Sequence, residues 1–108
     1  MEDDFEQDAK YVRDDLRKRG GGSYSDLYTN KKVGIAVIGI QTEYGGQGHD
    51  TVYILRKNKQ LEEILDKYFN SGRMFPTGIS DDGKKVFYTI KDDSGEFHEL
   101  EYSIEDRK

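Results

Sequence analysis

Val33-Gly34-Ile35-Ala36-Val37-Ile38-Gly39-Ile40 is the longest stretch of the chain without a polar side chain, and its reading decides the fold. Eight residues fall far short of the roughly 20 needed to cross a bilayer. Val33, Ile35 and Val37 alternate with Ala36, Ile38 and Ile40, and β-branched side chains favour the pleated conformation. Both faces are apolar, so residues 32–42 are expected to form a central strand covered on both sides. Gly34 and Gly39 interrupt it, and a glycine inside a strand marks a bulge or a place where something packs close to the backbone.

Downstream, a second strand over 51–56 follows the loop 43–50, so the two are expected to pair as a hairpin with a glycine-rich tip. Leu61, Ile64, Leu65 and Tyr68 then fall at helical spacing behind Asn58, a residue suited to an N-cap, and ahead of Ser71-Gly72, a helix stop. That pattern predicts a helix. Residues 74–80 read as a short strand whose Pro76 lacks a ladder donor and belongs on an edge or at a bend. Asp81-Asp82-Gly83 and Asp92-Asp93-Ser94-Gly95 are turns around strands at 84–91 and 97–104, so the last three strands form a meander.

Upstream, residues 1–19 read as a charged helix. Phe5, Ala9, Val12 and Leu16 make a narrow apolar stripe, acids gather early and bases late as the helix dipole favours, and Gly20-Gly21-Gly22 stops it. Residues 1–22 are therefore set apart from a domain at 23–108, with 23–30 as a connector. The order αββαβββ implies an α+β fold: an antiparallel sheet of about five strands, one packed helix and an additional N-terminal charged helix.

The chain has 108 residues, one domain's worth, with 22 acids, 17 Lys and Arg, a net charge of -5 and no cysteine. The composition excludes disulfides and thiolate zinc sites, disfavours nucleic acid and membranes as partners, and makes the cytoplasm the expected compartment. The acidic start is not that of a signal peptide.

Among the chemical candidates, Gly45, Gly46, Gly48, His49 and Asp50 form the most unusual string, with exposed backbone donors beside a base and an acid. With Lys32 and Arg56 as anion partners, this loop is the basis of an alternative reading as a binder of a nucleotide or another small anion. Neither a P-loop nor a dinucleotide fingerprint is present. Lys31, Lys32, Arg56, Lys57 and Lys59 are expected to gather at one end of the first hairpin, where a solvated face is the preferred reading over nucleic-acid binding. His49 and His98, with Asp50 or Glu99, have the donor types of a metal site but no spacing that enforces one, so two surface histidines are the preferred reading and no metal or cofactor is assigned. No catalytic residue is assigned either, because the acid doublets are explained by turns and helix faces and no serine sits in a nucleophile elbow.

Eight tyrosines along the chain, together with nine acids within 81–108, point instead to surface recognition. The expected function is a non-enzymatic protein-interaction module, an acidic inhibitor or adaptor of the size and charge of phage or toxin-neutralising proteins, that binds a partner protein or a second copy of itself. Its expected contacts are Phe5, Tyr11, Val12 and Leu16 on the helix, Tyr24 and Tyr28 in the connector, and Tyr44.

Overall fold

The computed structural model describes residues 5–20, 24–44 and 47–104. Among the described residues one helix, α1 (Phe5–Gly20), precedes seven strands: β1 (Tyr24–Asn30), β2 (Ile35–Tyr44), β3 (Gln47–Arg56), β4 (Leu61–Phe69), β5 (Arg73–Ile79), β6 (Lys85–Lys91) and β7 (Phe97–Ser103). All pairings are antiparallel, giving a four-stranded sheet β1-β2-β3-β4 and a three-stranded sheet β5-β6-β7. The α+β class, the antiparallel pairing, the first hairpin and the final meander follow the sequence expectation. The division into two sheets does not.

β2 explains the layering. Ile35 and Val37 enter a core shared with Val52, Ile54, Met74 and Val86, which lies between the sheets. Ala36, Ile38 and Ile40 point the other way, into a second core with Phe5, Ala9 and Leu55 beneath α1. The strand is covered on both faces, as its composition requires. Gly39 marks the crossing of the two sheets: a Cβ there would lie 2.4 Å from Cδ of the buried Pro76 in β5. Pro76 itself sits on an edge strand, beside a register shift, where its missing donor costs no ladder bond.

Three expectations are corrected. The helix foreseen from residue 58 onward is strand β4. Its ladder with β3 pairs Val52 with Leu65 and Tyr53 with Glu63, so Ile64 is skipped as a bulge, and Ile64 and Leu65 both pack against the core between the sheets. A bulge that places two consecutive apolar residues toward one core reproduces the i, i+3, i+4 spacing of a helix. Asn58 caps no helix: its side-chain oxygen accepts the Gln60 N–H within a tight turn whose Lys59 has φ of 70°. Ser71-Gly72 is the corner between sheets rather than a helix stop, and the Asp93 carboxylate accepts the N–H groups of Asn70, Ser71 and Gly72 there.

The connector at 23–30 is the second correction. Its described part is strand β1, with Leu27 facing the helix core and Tyr28 the core between the sheets. Third, the long hairpin loop at 43–50 is mostly strand: pairing of β2 with β3 reaches Tyr44 and Gln47, and Gly45 and Gly46 lie outside the described residues. At the N-terminus, α1 docks on the sheet through Phe5 and Ala9, both buried, with Val12 and Leu16 partly buried beside them. Burial of an aromatic side chain such as Phe5 contributes about 1.5–3 kcal/mol, which holds a helix that otherwise carries mostly charge. No described helix is long and apolar enough to cross a membrane.

Candidate partner-binding face

α1 packs against β1 and β2. The same face of the sheet continues over β3 and β4, where His49, Thr51 and Tyr53 alternate along β3 opposite Tyr68, Asp66 and Glu63 of β4. Tyr68 is 69% exposed and Leu61, at the end of the same row, is also exposed. Tyr53 is partly buried, and its hydroxyl is held above the usual phenol range by burial first and then by the negative charges of Glu63 and Asp66.

Internal contacts order this surface. His49 stacks on Tyr68 with ring centroids 4.1 Å apart and planes 14° from parallel. Asp66 Oδ1 takes a short contact from His49 Nε2 and a 2.9 Å hydrogen bond from the Thr51 hydroxyl. The carboxylate therefore sits between the hydroxyl and the imidazole. A nucleophilic triad needs the imidazole in the middle, in reach of the hydroxyl proton. What the arrangement does instead is fix the Tyr68 ring and the Asp66 carboxylate in place on the sheet face.

Behind this face, Asp50 points into the interface between the sheets and is fully buried. Its Oδ2 accepts the Met74 N–H at 2.8 Å, and Arg73 Nη1 lies 3.4 Å from Oδ1 while Arg73 Nη2 reaches Glu43 Oε1 at 2.7 Å. Burial raises the Asp50 pKa above the ordinary carboxylate value, with the Met74 N–H and the Arg73 charge working against it. Asp50 is thus a latch between β3 and β5 rather than part of an open loop.

The sequence-selected residues are distributed as follows. Phe5, Val12 and Leu16 pack inside the chain under α1, and Tyr28 packs against the core between the sheets. Tyr11 and Tyr24 are largely exposed. Tyr44 ends β2, and its side chain lies outside the described set. Gly48 and His49 open β3, whereas Arg56 closes it, paired with Glu62 at 3.7 Å, and Lys32 lies in the turn beside that end. Eight residues of strand span about 26 Å, so Gly48 and His49 stand at the opposite end of the sheet from the two expected anion partners. The basic residues do gather, because Ile35 pairs with Arg56 and Lys57 donates to the Gly34 carbonyl; Lys31 is there bound to Glu6 at 3.3 Å.

The two histidines have separate carboxylate partners. His98 Nε2 is 2.8 Å from Asp92 Oδ2, and with Glu96 these three offer ligand atoms within 4.8 Å of one another. Asp92 Oδ1 is engaged by the Ser94 hydroxyl and N–H and the Glu96 N–H, and the Ser94 hydroxyl, then the His98 ring and these N–H groups, hold its pKa well below the usual carboxylate range. The cluster is explained as a turn. The face on β3 and β4 was missed in sequence because the helical reading of residues 58–71 placed Asp66 and Tyr68 away from His49; the alternation of His49, Thr51 and Tyr53 was the signal present.

Comparison with protein-family models, with curated proteins and with solved structures finds no match.

Proposed function

We propose that the chain is a non-enzymatic protein-interaction module, an inhibitor or adaptor, that binds a basic partner through the outer face of β3 and β4. The observation that carries this reading is the row beside α1, where exposed Tyr68 is stacked on His49 and flanked by the exposed Asp66 and Glu63. Tyrosine supplies contact area with few torsions to freeze, and a net charge of -5 favours encounter with a positive surface. The anion-binding alternative loses support because Lys32 and Arg56 stand far from Gly48 and His49.

Site-specific photo-cross-linking tests the reading. A benzophenone side chain at position 68, in cells that make the protein, is expected to give one discrete protein adduct that disappears in the Glu63→Lys, Asp66→Lys background. An adduct that persists after charge reversal, or none from position 68 together with one from position 87 on the other sheet, contradicts it.

A further inference from the structure

We propose that the outer edge of β7 accepts an extended, basic segment of a partner protein, which joins the three-stranded sheet as its fourth strand. β7 ends that sheet, and its ladder with β6 runs without a register shift from Lys85 opposite Ser103 to Lys91 opposite Phe97. β4, the edge of the other sheet across the cleft, is broken by its bulge and is a poorer template. Every residue of β7 except Tyr102 is exposed. A strand with one side unpaired among the described residues, and this degree of exposure, presents backbone donors and acceptors, the basis of recognition by strand addition.

The packing leaves room there. The four-stranded sheet faces only three strands, and Ile64 and Leu65 of β4 remain partly buried although they pack against the core. A cleft of about 310 Å³ opens between the sheets, lined by Ile54, Ile64 and the ion-paired Arg56 and Glu62 on one side and by Tyr102, Ser103 and Ile104 on the other.

Charge selects the occupant. Residues 92–103 contain five acids and no lysine or arginine. Glu99 and Glu101 alternate with Leu100 and Tyr102, so the two sets lie on opposite faces of the strand. Glu101 pairs with Lys85 at 3.1 Å, while Glu99 has no ion-pair partner among the described residues. An added strand would set alternate side chains beside the glutamates and the rest beside Leu100, on the face from which Tyr102 lines the cleft. That pattern calls for lysine or arginine alternating with apolar residues. A second copy of β7 would bring its own glutamates against these and is disfavoured. This edge is separate from the face on β3 and β4, and either can fail alone.

The test uses the full chain and a fluorescein-labelled nine-residue peptide of alternating lysine and valine. Two controls are a peptide with glutamate in place of lysine and one with the lysines and valines in separate blocks. Anisotropy titration is expected to show saturable binding of the alternating peptide only, with amide exchange slowed in residues 97–103. Glu99→Lys with Glu101→Lys, at exposed positions that leave the melting curve in place, is expected to weaken binding at least ten-fold, and Leu100→Glu to weaken it independently. Glu63→Lys with Asp66→Lys is expected to leave it unchanged. Equal binding of the block peptide, protection at 61–69 instead of 97–103, insensitivity to the β7 variants, or absence of binding at millimolar peptide overturns the proposal.

Discussion

Replacement of Gly39 by alanine probes the crossing of the two sheets with a single methyl group. The added Cβ would lie 2.4 Å from Pro76 Cδ and 2.8 Å from Cγ, against the 3.5–4.0 Å at which carbon atoms ordinarily rest. Pro76 is a rigid ring, fully buried, two residues from the Met74 N–H that Asp50 holds, so β5 cannot retreat without loosening that bond. Overpacking of this kind costs about 1–3 kcal/mol. Gly39 lacks the positive φ of Gly34 or Gly83, so alanine suits its backbone and offsets roughly 0.4–1 kcal/mol through the unfolded state. The net loss is therefore about 1–2 kcal/mol. At roughly 4–8 °C per kcal/mol for a domain near this size, the melting temperature falls by about 5–15 °C. Gly78→Ala is the matched control. Its Cβ would meet only Phe87 Cδ2, at an ordinary 3.8 Å, and its Tm is expected to hold or rise slightly. Thermal melts followed by circular dichroism on the two variants and the parent decide the matter. A Gly39→Ala protein that melts at or above the parent, or in step with Gly78→Ala, would refute the crossing of β5 over β2 at this point.

Phe5→Ala, which removes a buried ring from beneath α1, is expected to cost about 3 kcal/mol in urea unfolding; an unchanged midpoint would mean that the helix does not dock. Asp50→Ala deprives the Met74 N–H of its acceptor inside the protein, a loss of about 1–3 kcal/mol. Because burial raises the folded pKa of Asp50 above its unfolded value, the carboxyl's contribution is complete below the ordinary carboxylate range and declines as pH rises through the folded pKa, so the gap between parent and variant is larger in acid than at neutrality. Asp93→Ala has the opposite pH dependence. The backbone N–H groups of Ser71, Gly72 and Asn70 lower the Asp93 pKa, so its contribution is present above the ordinary range and lost as pH falls through the folded value, and amide exchange at 70–72 accelerates in the variant at neutral pH. Tyr68→Ala removes an exposed ring and is expected to leave the melting temperature within about 4 °C, since surface changes stay near 0.5 kcal/mol; a larger fall would make the stack on His49 structural.

Much of the architecture was legible because its signals are local. The two apolar faces of β2, the glycine at a close approach, the proline at an edge and the turns at Asp81 and Asp92 each depend on a few neighbouring residues. The failures share a cause in pairing across distance. β1 is polar along most of its length, and only its position between α1 and β2 gives Leu27 and Tyr28 two different cores to enter. β4 carries a helix's spacing because a bulge opposite Val52 and Tyr53 shifts its alternation, and no property of residues 61–69 alone announces a bulge. The same error hid the candidate face, which exists only where His49 of β3 meets Asp66 and Tyr68 of β4. Asp50 was chemically conspicuous in sequence, but its role as a latch depends on Met74 and Arg73, more than 20 residues away.

The exchange footprint of the partner on the chain tests the central claim most directly. Purified protein is mixed with the partner retrieved through position 68, and amide exchange is compared with that of the free chain. Slowed exchange concentrated in β3 and β4, centred on Thr51, Asp66 and Tyr68, is the predicted result. Protection confined to α1 and β1, with β3 and β4 unchanged, would contradict it.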